Sequence, residues 1–129
     1  MSKFVIDAYA WIEYFDGTRI GDKVKEIIEN ASNEIHTNLI TVAELSSFFK
    51  KRNYDFEYAK KIIISLSLIY SLNLEFAEEA GKLHAEIKKE RKHMSLADVF
   101  VLLTAKQLNA KVVTGDEDFR NLKEALMIK

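Results

Sequence analysis

No cysteine and no proline occur among the 129 residues, and only four are glycine. Without cysteine there is no disulfide scaffold, no thiol chemistry and no zinc knuckle. With no proline, so little glycine, and no internal repeat or low-complexity tract, nothing in the chain reads as a linker. A single domain over residues 1–129 is therefore expected, and a hydrophobic fraction of 48% is enough to build its core. Long apolar runs are missing as well. The longest, Ile62–Leu72, is interrupted by serines and falls far short of the roughly 20 residues that cross a bilayer. The first residues carry charges inside their apolar stretch, unlike a signal peptide. A soluble, cytoplasmic protein with no membrane partner is the expectation.

An excess of charge of one sign is also lacking. Nineteen Lys and Arg face twenty Asp and Glu, a net charge of −1, which is not the balance of a protein that clamps duplex DNA by its total charge. Charge is nonetheless segregated along the chain. Basic groups cluster at Lys50-Lys51-Arg52, Lys60-Lys61 and Lys88-Lys89-Glu90-Arg91-Lys92.

What is present is an alternation of short apolar strands and amphipathic helices. Phe4-Val5-Ile6 predicts a buried strand, and Ala8, Trp11, Ile12 and Phe15 then fall at helical spacing until Asp16-Gly17 breaks the pattern. A second helix is expected from about Arg19 to Ala31, a strand over Glu34–Thr37, and a helix from about Val42 to Lys51. Phe56, Ala59, Ile63 and Leu66 mark a further helix, and Leu68–Ser71 a strand. Glu75–Arg91 carries acids at its start and bases at its end, as a helix dipole prefers. Ser95–Leu108 predicts a helix, and Lys111–Thr114 and Leu126–Ile128 predict strands. Such alternation implies a three-layer α/β/α sandwich around a mostly parallel sheet, whose ligands bind beyond the carboxyl ends of the strands.

Four carboxylates fall at that edge. Asp7 directly follows the first strand, and Asp116 follows Val112-Val113-Thr114 after Gly115, which is expected to let the backbone turn sharply. Glu44 and Asp98 are expected in the first turns of their helices, within Thr41-Val42-Ala43-Glu44-Leu45 and Ser95-Leu96-Ala97-Asp98-Val99. Both segments also fit the capping-box pattern, and Asp7 and Asp116 suit helix caps, so each acid has a purely structural explanation. Capping does not explain why all four fall at one edge beside apolar segments, where crowded carboxylates repel one another unless a cation compensates them. An all-oxygen donor set favours Mg²⁺ or Mn²⁺, and the chemistry such a site implies is phosphodiester hydrolysis. Gly17-x-x-x-Gly21 lacks the Lys-Ser/Thr ending of a phosphate-binding Walker loop.

Taken in order, Phe4–Trp11, Thr41–Leu45, Ser95–Val99 and Val112–Phe119 resemble the PIN-domain family, and more narrowly the VapC-type toxins of prokaryotic toxin–antitoxin pairs. The resemblance spans nearly the whole chain. It implies a Rossmann-like sandwich and a Mg²⁺- or Mn²⁺-dependent endoribonuclease acting on RNA. It also implies an antitoxin partner seated in a groove among the N-terminal helices, and a homodimer. Asp7, Glu44, Asp98 and Asp116 match the family's acidic quartet, with Asp7 and Asp98 the pair most directly associated with metal. Asp118 sits where some members place a further acid, and Thr114 matches a hydroxyl residue that orients the site. Two neighbouring readings use the same residues: a PIN nuclease of RNA maturation or decay without an antitoxin, and an inactive PIN-like module that holds RNA or a protein. A receiver-type phosphoacceptor domain shares the layering but expects paired early acids, and only Asp7 follows the first strand.

The remaining residue types carry weaker signals. With the four acids set aside, basic residues outnumber acidic ones, and Lys88, Lys89, Arg91 and Lys92 are candidates to grip an RNA backbone. His36 and His84 read as structural, and His93 as a residue able to reach a phosphate. Phe48, Phe49, Tyr54, Phe56 and Tyr58 exceed what one helical hairpin can bury, which leaves an apolar groove or dimer face.

Overall fold

The computed structural model describes residues 1–129. The strands are β1 (Ser2–Ile6), β2 (Asn33–Asn38), β3 (Leu68–Tyr70), β4 (Lys111–Thr114) and β5 (Ala125–Met127). The helices are α1 (Ala8–Asp16), α2 (Arg19–Ile28), α3 (Leu39–Lys51), α4 (Phe56–Leu66), α5 (Leu74–Ile87) and α6 (Leu96–Leu108), and a 3₁₀ turn spans Glu117–Phe119. The sheet runs in the order β3-β2-β1-β4-β5, and every pairing is parallel rather than mostly so. Connections from β1 lead to β2 on one side, while β4 lies on the other. The crevice between the ends of β1 and β4 is therefore the switch point at which such sheets bind ligands.

Strand periodicity sorts the core into two layers. Val5 and Val112 face one side, with Phe76, Ala80, Leu102 and Phe119, so α5 and α6 cover that face. Their neighbours Ile6 and Val113 face the other, with Trp11, Val24, Leu45 and Ile63 from α1 to α4. Trp11, Leu45, Ile63 and Leu102 are almost wholly buried. Each such side chain stabilises the fold by about 1.5–3 kcal/mol relative to exposure.

Local chemistry explains most element ends. α1 stops where Gly17 takes a left-handed φ of 66°, and its amide donates to the Glu13 and Tyr14 carbonyls. Three expected boundaries move by three residues or more. α2 ends at Ile28, three residues short of Ala31. α3 begins at Leu39 instead of Val42, because the Asn38 side chain caps it by accepting from the Ile40 amide at 2.7 Å and donates to Thr104 Oγ1 at 2.8 Å. α5 ends at Ile87, so the basic run 88–92 is a loop and not a helix terminus.

The aromatic set at the α3–α4 junction is shared between core and surface. Phe49 is buried and meets Phe15, Phe48, Tyr54 and Phe56, whereas Tyr54 and Tyr58 remain exposed. His36 is buried in β2 and bonds Glu34 at 2.8 Å, a structural role as expected. No helix is long and apolar enough to cross a membrane.

Candidate metal centre

Each acid reaches the switch point by a different local device. Asp7 leaves β1 as the N-cap of α1, and its Oδ1 accepts from the Ala10 amide at 2.9 Å. Asp98 is the third residue of α6 in a complete capping box: Ser95 Oγ accepts from the Asp98 amide at 3.1 Å, and Asp98 Oδ2 from the Ser95 amide at 3.0 Å. Asp116 caps the 3₁₀ turn, its Oδ1 accepting from the Asp118 amide at 2.9 Å. Thr114 is fully buried at the end of β4, and its hydroxyl accepts from the Asp116 amide at 3.0 Å. In all three capping aspartates one oxygen makes the cap and the second takes no part in it.

Glu44 differs from its expected setting. With α3 beginning at Leu39, Glu44 lies in the second turn, at the exposed rim, and Thr41 is no cap. Thr41 is instead fully buried, and its Oγ1 finds no hydrogen-bond partner. Gly115 differs as well. Its backbone is not left-handed, and what requires glycine there is the Tyr9 ring, which occupies the place a Cβ would take.

The carboxyls perturb one another. Burial pushes Asp7 up from 3.8 to about 7; Thr114 and the Ala10 amide oppose that rise, and Asp98 and Asp116 add to it. Asp98 is raised by burial, against the Ser95 hydrogen bonds, and further by Asp116 and Asp118. Glu44 is raised by partial burial of its carboxyl and by Asp98 and Asp116. All five acids thus share one field. The tightest grouping is Asp98, Asp116 and Asp118, each offering one carboxylate oxygen within 4.8 Å of the others. Asp7 stands outside that trio and is the more deeply buried, only 7% exposed. Asp118, expected as an accessory, is in this grouping an equal member.

Two surface features flank the acids. A groove of about 550 Å³ between α1 and α3, lined by Ala8, Ile12, Ala43, Ser47 and Phe48, begins at Glu44 and ends at Lys51. Beside it the Arg52 guanidinium stacks 4.2 Å from the centre of the Phe48 ring. On the other flank a polar cavity of about 340 Å³ is lined by Glu90, Arg91, Lys92, His93, Glu117 and Asp118. Lys88, Lys89 and Lys92 are exposed, with Lys89 paired to Glu86 at 3.1 Å. Arg91 points inward, and its Nη1 donates to the carbonyl oxygens of Asp118 at 2.8 Å and Arg120 at 2.9 Å. Nothing in its local sequence distinguished Arg91 from the lysines around it.

Comparison with known proteins places this arrangement. The fold is similar to that of a toxin–antitoxin complex from Klebsiella pneumoniae, with a TM-score of 0.74, 24% identity and 97% of each chain covered. It is also similar to a VapBC protein from Salmonella typhimurium in its DNA-bound form, with a TM-score of 0.74, 18% identity and 100% of each chain covered. A sarcin–ricin-loop-cleaving VapC toxin of Mycobacterium tuberculosis gives 0.71 at 12% identity, covering 90% of this chain and 92% of its own. Curated protein sequences yield no significant match. The PIN domain, by contrast, matches residues 4–125, from β1 into the first residue of β5. With that span, an all-parallel sheet and its acids at the switch point, the chain belongs to the PIN-domain family.

Proposed function

We propose that this single-domain protein is a divalent-metal-dependent endoribonuclease and the toxin of a toxin–antitoxin pair. The observation that carries the reading is the convergence of Asp7, Glu44, Asp98, Asp116 and Asp118 at the switch point, with Asp7, Asp98 and Glu44 raised first by burial and then by carboxylates of this group. Perturbed carboxyls clustered in a crevice mark a functional site, and here they mark uncompensated negative charge. The donor set fits a hard cation: only carboxylate oxygens, with no histidine and no cysteine among them.

Asp98, Asp116 and Asp118 would hold the ion, with Asp7 and Glu44 completing the shell or a second site. When bound, Mg²⁺ or Mn²⁺ supplies Lewis-acid activation of water and charge stabilisation on the phosphate. The chain's own contribution is orientation. The Ser95 and Ala10 caps and the Thr114 hydroxyl fix backbone and carboxylates before substrate arrives. In metal-free protein near neutral pH, Asp7 is partly protonated, which limits its repulsion with Asp98 and Asp116. Exposed Lys88, Lys89 and Lys92 supply phosphate contacts that orient an RNA without reading its sequence.

The toxin assignment rests on the similarity in fold to toxin–antitoxin proteins, one of them a toxin that cleaves the sarcin–ricin loop. The groove from Glu44 to Lys51 is the surface assigned to the antitoxin, and the homodimer and cytoplasmic location are proposed on the same family grounds. The test is Mn²⁺-dependent cleavage of a long, partly single-stranded RNA, with Asp98→Asn purified in parallel. Cleavage by the wild type and its loss in the variant, with circular dichroism unchanged, is the expected result. Equal cleavage by both would overturn the site.

A further inference from the structure

The segments that deliver the tightest acids are separate in sequence. Asp98 enters from the loop 88–95 through the Ser95 cap, whereas Asp116 and Asp118 sit on the turn after β4. Each segment is anchored in the core by one apolar side chain, Met94 for the loop and Phe119 for the turn, both fully buried. Between the anchors the two segments are joined by Arg91. Its Nη1 bonds to the carbonyl oxygens of Asp118 and Arg120 bracket residue 119 from the outside. The loop end of this strut is itself tied down: the Arg91 amide donates to the Ile87 carbonyl at 2.9 Å, and the Arg91 carbonyl accepts from the Met94 amide at 3.2 Å.

The chemistry of the strut is selective. A guanidinium this close to several carboxylates would ordinarily form an ion pair with one of them. Arg91 forms none within salt-bridge distance, and its Nη1 is spent on main-chain carbonyls. The Asp118 carboxylate is thereby positioned through its own backbone while its oxygens stay available to a cation.

We infer that Arg91 is a positioning residue of the metal centre: by clamping the Asp118 and Arg120 carbonyls to the loop that leads into α6 and Asp98, it sets the separation of Asp98 and Asp118. The inference rests on the metal-centre reading above and assigns Arg91 a task other than RNA contact. Residues that orient metal ligands change affinity by about 10–100-fold when lost. A residue that merely stabilised the loop would lower global stability and leave the affinity of the folded protein unchanged.

The experiment is calorimetric titration of the apoprotein with Mn²⁺, with no RNA present. Arg91→Met is expected to weaken Mn²⁺ binding by about tenfold, and Arg91→Lys, which keeps a charged donor, to recover part of that loss. Glu124→Gln serves as the stability control. It removes the charge from the part-buried pair with Lys106, 3.0 Å long, near the opposite edge of the sheet, and is expected to bind Mn²⁺ like the wild type. Wild-type affinity in Arg91→Met, beside lost binding in Asp98→Asn, would overturn this inference and leave the metal centre standing. No difference between wild type and Asp98→Asn would overturn the metal centre itself. Should Arg91→Met not fold, Arg91→Gln is titrated in its place, and wild-type affinity there overturns the inference equally.

Discussion

Replacing Asp7 by asparagine separates what this side chain does for the fold from what it does at the site. Its carboxyl is raised from 3.8 to about 7, first by burial and then by Asp98 and Asp116, against the Thr114 and Ala10 hydrogen bonds. A group raised on folding binds more protons in the folded chain. Its contribution to stability is therefore full below the unfolded value and is lost as pH rises through the folded one. The window runs from pH 3.8 to about 7. A rise of about 3 pH units, at about 1.4 kcal/mol each, corresponds to about 4 kcal/mol lost across that window. The carboxamide keeps an acceptor for the Ala10 amide but must itself be buried, so a net gain of about 2 kcal/mol is expected for Asp7→Asn at about pH 7.5. Trp11, the single tryptophan and fully buried, reports unfolding in urea by its fluorescence. In EDTA the wild type should lose stability between about pH 4 and 7 while the variant slopes much less. In Mn²⁺ at about a hundred times its dissociation constant, the wild type should regain about 2.7 kcal/mol and the variant far less. Parallel pH slopes, or a variant less stable than the wild type in EDTA at about pH 7.5, would show that the Asp7 carboxylate is compensated within the chain and refute the reasoning.

Gly115→Ala should both destabilise the protein and lower its Mn²⁺ affinity, because the new methyl meets the Tyr9 ring on the backbone that leads to Asp116. Combining it with Tyr9→Ala should restore much of the affinity, and no rescue in calorimetry would place the fault elsewhere. Thr41→Val should be neutral or stabilising by up to about 1 kcal/mol in urea unfolding, since it removes a buried hydroxyl that has no partner. A loss above about 1 kcal/mol would mean that this hydroxyl is satisfied in solution.

How much was legible in the sequence follows from the range of the interactions that decide each feature. The strand β4 and the caps at Asp7 and Ser95 depend on neighbours within a few residues, and the expected elements lie where local pattern puts them. The start of α3 was not legible. Thr41-x-x-Glu44 imitates a capping box, but Asn38 prevails because its amide is also held by Thr104, 66 residues away. Gly115 looked like a turn residue, and its actual constraint is a ring from the other end of the chain. The end of α5 was hidden for a similar reason. Acids at the start and bases at the end suggest a helix to Arg91, but the chain turns at Ile87 and Arg91 is engaged by carbonyls 27 and 29 residues downstream. Strand order, which makes the end of β1 and the end of β4 neighbours, is likewise a long-range result.

Capping and metal ligation were posed as rival explanations of the acids, and the geometry shows why they need not compete. A carboxylate has two oxygens, and a helix N-terminus requires only one of them. At Asp7, Asp98 and Asp116 the capped oxygen fixes the rotamer against the backbone, which leaves the second oxygen to be aimed at no further entropic cost. The positive ends of α1 and α6 also favour negative charge at these positions, which partly offsets the crowding. Full compensation would defeat the purpose. Asp7 stays well above its ordinary value despite a cap and a neighbouring hydroxyl, first because its carboxyl is buried and then because of Asp98 and Asp116, so a desolvated negative charge remains for a cation to compensate. On the metal-centre reading proposed above, the instability that the buried carboxylates bring to the metal-free protein and the affinity for a divalent ion would therefore be two measures of the same electrostatic energy.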